Sequence, residues 1–214
     1  MFSHKVIVLV LDSYAAFAIL QSRVHQEWAY LFGSTLKDDP VYTPSDCFET
    51  FPFPENWGLS KALREAGDLY YEHRKVLMIT HDEGVTSTYN RFHDPGESDP
   101  DIVKLRELHA AMDRAMLDVY GWTDIPTNCE FLLDYEIDEV EWGEKKKPWR
   151  YRWPDEVRDK VLARLLELNG QRAEEERLAG ATAAGAKPKK RATKVPSKTQ
   201  VLPLPLFSAE DQSR

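Results

Sequence analysis

The chain opens on an unbroken apolar run. Lys5–Leu11, KVIVLVL, is rich in β-branched residues, which predicts a buried strand. The period then changes. Phe17, Leu20, Val24, Trp28 and Leu31 recur at spacings of three and four, which predicts one apolar helix face over Tyr14–Phe32. Ser13 is the expected N-cap and Gly33 the expected stop. Asp12 interrupts the opening run, no small-residue cleavage site follows, and the run is too short to cross a bilayer. A signal peptide and a membrane span are both disfavoured. The chain is expected to begin inside a structural element, as a piece of something larger.

Thr43–Phe53 reads as a strand that Pro54 stops. Strand alternation would put Phe51 and Phe53 on one face and Phe48 on the other, unless a bulge intervenes. Leu59–Thr80 is a second helical stretch. Residues 83–101 are rich in turn formers and read as loop or broken helix. Ile102–Tyr120 carries the clearest helical period, through Ile102, Leu105, Leu108, Met112, Ala115, Met116 and Val119, with Gly121 as its cap. EFLLDYEIDEVEW is ambiguous, its acidic half reading as surface loop. Pro154 fits the first position of a helix to about Ala179, with Val157, Val161, Leu165 and Leu168 on one face.

These elements predict an α+β chain, mostly α: a short N-terminal strand–helix–strand unit, a helical region and a disordered basic tail. The corresponding boundaries are residues 1–57, 58–180 and 181–214. After Gly180 the sequence turns to small residues, Lys and Pro without periodicity.

Charge sharpens the division. The chain of 214 residues carries a formal charge of -8. Residues 181–200 hold Lys187, Lys189, Lys190, Arg191, Lys194 and Lys198 and no acid, so the remainder stands at -14. An acidic body with a basic tail meets nucleic acid through local patches, if at all. Cys47 and Cys129 are far apart and lack metal-ligand spacing, which disfavours a disulfide scaffold or a structural zinc site and fits a reducing cytoplasm.

Known catalytic patterns are missing from the sequence. It has no glycine-rich phosphate loop, no Asn/Asp-Pro-Pro-aromatic motif of amino-methyltransferases, no nuclease-type Glu-x-Lys and no Gly-x-Ser-x-Gly. No catalytic residue and no metal ligand is assigned. His73 and His81 read as ordinary surface or half-buried residues, and His109 with Asp113 as a helix-stabilising i,i+4 pair. The paired acids of DYEIDEVEWGE could bind a cation but read better as a solvated acidic loop.

Two stretches point to nucleic acid. KKKPWRYRW, Lys145–Trp153, has five basic and three aromatic residues in nine. Lys and Arg neutralise phosphates, and planar rings stack on bases. In an extended segment Arg150 and Arg152 would line one side and Trp149, Tyr151 and Trp153 the other. The alternative is a strand that docks its rings in the core and leaves its arginines to solvent, and both can hold together. TSTYNRFHD, Thr86–Asp94, offers Asn and Arg, the side chains that make bidentate contacts with adenine and guanine. Its alternative is a loop in which Asn90 and Asp94 cap their own backbone.

In combination and in this order, FAILQSRVHQEWAYLFGSTLKDDPVYTPSDCFETFPFP, YYEHRKVLMI, TYNRFHDP, LRELHAAMDRAMLDVYGW and PWRYRWPDEVRDKVLARLLELN resemble the C-terminal region of type IIG-like restriction–modification adenine-specific DNA methyltransferases of phage-defence systems. The resemblance runs from about Phe2 to Arg177. It implies the target-recognition region and the helical segment after it. The Phe-rich stretch would be the closing structural strand of that region, hence scaffold. It further implies double-stranded DNA as partner, with base flipping and methyl transfer from S-adenosylmethionine done by a catalytic subunit or a missing N-terminal region. On that reading Lys145, Lys146, Lys147, Arg150 and Arg152 meet phosphates and Trp149 stacks. Tyr89, Asn90 and Arg91 lie nearer the bases. The rival expectation is a protein-interaction module that docks on a methylase or another defence subunit without touching DNA. The acidic body favours it.

Overall fold

In the computed structural model, residues 7–36, 39–134 and 147–183 are described. The expected mostly helical α+β class holds. The elements are α1 (Tyr14–Gln21), α2 (Arg23–Phe32), the hairpin strands β1 (Ser34–Leu36) and β2 (Asp39–Val41), α3 (Lys61–Thr80), α4 (Val85–Phe92), α5 (Pro100–Val119), the hairpin strands β3 (Glu130–Leu133) and β4 (Trp149–Arg152), and α6 (Asp155–Ala183). Lys145 and Lys146 lie outside the described residues, as does nearly all of the basic tail.

Three expectations need correction. Residues 7–13 form no strand, and Val10 is 96% exposed with Ile7, Val8 and Leu11 also exposed. A strand needs a partner ladder, and none of the described strands pairs with this stretch. The single helix over 14–32 is two helices that break at Ser22. Ser22 is extended, its hydroxyl donates to the Ile19 carbonyl at 2.7 Å and accepts from the His25 N–H, and so it ends α1 and caps α2.

The strand expected over Thr43–Phe53 is instead one wide helical turn, Pro44–Phe48, followed by an irregular passage. Local hydrogen bonds favour that turn: Glu49 N–H reaches the Pro44 carbonyl, Thr43 bonds Asp46, and Thr50 donates to the Asp46 carbonyl. Strand alternation therefore does not apply, and Phe48 meets Phe53 edge-on at 5.3 Å. The scaffold role survives the change of shape. Phe51 is buried among His25, Trp28 and Phe53. The carbonyls left unpaired by the irregular backbone are satisfied from elsewhere: Tyr120 donates to Pro52, Asn169 to Thr50 and Arg172 to Phe53.

The helical frame is built on α1, α3 and α5. Gly67, in mid-helix, lets α3 approach the start of α1, since a Cβ there would stand 2.2 Å from the Tyr14 carbonyl oxygen. Glycine costs about 1 kcal/mol in a helix interior, and the close approach explains its presence. α5 begins with Asp99 as cap and Pro100 at its first position, and ends at Gly121, whose φ of 76° is the left-handed conformation of a helix stop. Val161 and Leu165 bring α6 into the same core, which also holds Trp28, Leu63, Tyr70, Leu105, Met112, Met116 and Trp153. The stretch expected as loop or broken helix contains α4, held by buried Thr88 and Phe92.

Phe51→Ala is expected to lower unfolding stability by about 3–5 kcal/mol, the usual cost of emptying a buried phenylalanine site. Urea denaturation measures it, and a loss within error of zero would contradict the scaffold role.

Candidate nucleic-acid interface

β4 pairs antiparallel with β3, setting Glu130 opposite Arg152, Phe131 opposite Tyr151, Leu132 opposite Arg150 and Leu133 opposite Trp149. Over Trp149–Arg152 the expected extended form is present, and its two faces differ. Tyr151 turns inward, with its ring 5.7 Å from Phe92 and 4.9 Å from Phe131. Trp153, just past the strand, is buried. Trp149 and Lys147 are half-buried.

Arg150 and Arg152 occupy the alternate face and are not bare cations. The Arg150 side chain is 12% exposed, with Nε 3.3 Å from Asp134 Oδ2. Arg152 binds Asp155, which also accepts from Arg158 at 2.9 Å. These arginines therefore form a row braced by carboxylates at the junction of β4 and α6. Two buried acids stand behind the row and resist ionisation. Burial pushes Glu27 up to about 7, against the opposing pull of Arg158, Arg152 and Arg23. Burial likewise raises Asp134, against Arg150 and Arg152. Glu27 therefore offsets the row only in part near neutral pH.

The second stretch lies on α4. The Tyr89 hydroxyl is engaged by Tyr70 at 2.6 Å and by Arg74 at 3.1 Å. Arg91 is gripped by Glu97 at 2.7 Å, Glu83 at 2.9 Å and Asp99 at 2.7 Å. Asn90 faces solvent. The expected self-capping is half present, since Asp94 accepts the Gly96 N–H at 2.9 Å while Asn90 takes no such part.

The structure brings the two stretches together. The Tyr151 N–H donates to His93 Nδ1 at 3.1 Å, just past α4. Burial, then the charge of Arg150, pushes His93 down to about 3, so the imidazole stays neutral and can accept. Arg106 of α5 donates to the carbonyls of Arg91, Phe92, Asp94 and Glu97, and its guanidinium lies over the rings of Phe131 and Tyr151. β4 and α4 are therefore neighbours, but the arginine row points away from the face that Tyr151 presents to α4.

Beneath both lies a polar cluster that the sequence reading missed. Arg23, at the start of α2, is buried. It donates to Asp113 Oδ2 at 2.6 Å through its guanidinium and to Oδ1 at 2.8 Å through its backbone N–H. A second contact sets the same guanidinium 2.7 Å from His109 Nδ1. Burial and Arg23 push His109 below its ordinary value. Burial alone would raise Asp113, but the charge of Arg23 and the hydrogen bond from its backbone N–H hold the carboxyl below its ordinary value. A neutral His109 that accepts from Arg23 through Nδ1 has no proton there to share with Asp113, 3.4 Å away. The expected i,i+4 neighbours are present, yet they are not a hydrogen-bonded pair and cannot work as a His–Asp general-base dyad. The missed signal was Arg23 itself, a charge set between Ser22 and Val24 on the apolar side of a helix.

Asp113→Ala is expected to cost about 3–5 kcal/mol, because it leaves the Arg23 charge buried and unpaired. Arg23→Met with Asp113→Leu should cost clearly less than the sum of the single changes. Additive losses in a urea double-mutant cycle would contradict the pairing.

No helix among the described residues is long and apolar enough to cross a membrane. No curated protein and no solved structure matches the chain. A family model does match, over a stretch that holds α1, α2, the first hairpin and the Phe-rich passage: residues 1–55 are similar to the target recognition domain of MmeI, of the type IIG restriction–modification class that the resemblance implied.

Proposed function

We propose that this chain is a DNA-recognition module of a restriction–modification adenine methyltransferase. The observation that carries this reading is the match of residues 1–55 to a target recognition domain. Flipping of the base and methyl transfer fall to a catalytic partner or to further polypeptide, where S-adenosylmethionine would bind. On this reading Arg150 and Arg152, with Lys145, Lys146 and Lys147, meet phosphates, and Trp149 stacks beside them. A phosphate competes with Asp155 and Asp134 for the arginines, which costs affinity but fixes the register in which the duplex docks. On α4, Asn90 is the side chain free to reach a base edge. Tyr89 and Arg91 act at the same place by holding the helix that presents it.

A second reading is supported by two observations. The arginines of β4 already have carboxylate partners, and the body is acidic. The chain would then dock on a methylase or another defence subunit without touching DNA.

Neutralising the row separates the two. Arg150→Gln with Arg152→Gln avoids setting a new acid against Asp134. The double variant should bind duplex DNA at least about tenfold more weakly, with a salt dependence shallower by about two units. Unchanged affinity in a variant with the wild-type circular dichroism spectrum would remove the row from the interface.

A further inference from the structure

The end of α3 and the start of α5 bring His81 together with two carboxylates that lie 18 and 20 residues further along the sequence. His81 follows the last residue of α3, Asp99 caps α5, and Asp101 lies in its first turn. His81 Nε2 stands 3.4 Å from Asp101 Oδ2 and 3.8 Å from Asp99 Oδ2, and one donor atom from each residue fits within 4.8 Å of the others. Four ligands at about 2.0–2.1 Å from a tetrahedral zinc ion lie about 3.3 Å from one another. His81 Nε2 already stands near that spacing from both carboxylates.

The carboxylates are also oriented in advance. Asp99 Oδ1 accepts the Asp101 N–H at 2.8 Å, and Asp99 Oδ2 accepts from Arg91. Asp101 is placed by the first turn of α5, where its own carbonyl contacts His73 Nε2 at 2.8 Å. Outer contacts of this kind fix ligand direction at metal sites. Charge points the same way. Glu83, Glu97 and Asp99 surround one cation, Arg91, so three carboxylates share a single positive charge, and Asp101 adds a fourth carboxylate beside His81. The second carboxylate oxygen of Glu83 is buried and has no hydrogen-bond partner. The three donor side chains are half-buried, which leaves room for a water as fourth ligand.

We propose that His81, Asp99 and Asp101 bind one divalent transition-metal ion of the zinc class. The imidazole selects such an ion over magnesium or calcium, which prefer all-oxygen sites. The ion ties the end of α3 to the start of α5 and, through Asp99 and Arg91, braces α4. The site does not depend on the DNA reading. The sequence alone conceals it, because the carboxylates follow His81 by a whole helix and its loop.

The test is titration of the metal-free full chain with zinc by calorimetry, and with cobalt(II) by visible absorption, at neutral pH. The expected result is one ion per chain, cobalt bands of tetrahedral type, and a melting temperature raised by zinc. His81→Gln and Asp101→Asn lie outside the core and should melt like the metal-free wild type. Each should bind zinc at least about tenfold more weakly and lose the thermal shift. A folded wild-type chain that takes up no zinc would overturn the proposal. So would His81→Gln binding zinc as tightly as wild type and keeping its thermal shift.

Discussion

Everything around the candidate interface leans on one buried ion pair. Asp113 takes both the side chain and the backbone N–H of Arg23, so one carboxylate fixes the guanidinium and the first turn of α2 together. In water such a pair contributes little. In a core it costs desolvation on both sides, and only full hydrogen bonding offsets that. Here the remaining capacity is used: His109 accepts from Arg23, the Tyr151 carbonyl lies 3.4 Å from it, and the rings of Phe92 and Tyr151 flank its charge. The pair joins the matched N-terminal stretch to α5, and through Tyr151 to β4. A change there would loosen the matched N-terminal stretch, the helical frame and the arginine strand at once.

The Phe-rich passage is a second expression of the same constraint. A stretch with three prolines, Pro44, Pro52 and Pro54, ladders poorly, so its carbonyls need donors from elsewhere. The end of α5 and the middle of α6 supply them through Tyr120, Asn169 and Arg172. Phe51 and Phe53 bury area on one side while these polar side chains satisfy the backbone on the other. Residues 43–54 thereby act as a strap that joins α2 to the helices that follow.

What the sequence revealed depended on whether local forces decide the structure. The period of α5, the stop at Gly121 and the alternation of β4 were legible because each follows from neighbouring residues. Ser22 was not, since a mid-pattern serine breaks a helix only when its hydroxyl and the next N–H both find better partners, and Asp113 lies 90 residues away. The Lys5–Leu11 run was misread as a strand because its pattern states a preference and says nothing of who would pair with it. Thr43–Phe53 was misread because aromatic content outweighed Pro44 and its turn-forming neighbours. At the candidate site, the face assignment of Arg150 and Tyr151 could be read in advance, but the carboxylates that brace the arginines could not.

The resulting picture is a helical frame that holds an arginine-bearing hairpin beside a short helix with one solvent-facing asparagine. Its central claim is that the arginine row of β4 docks duplex DNA. The most direct measurement is fluorescence anisotropy of the folded chain with random-sequence duplex over a range of salt concentrations. The account predicts binding that weakens steeply, with a log–log slope of about three or more for several neutralised phosphates. A folded chain that binds no duplex even at low salt would contradict it.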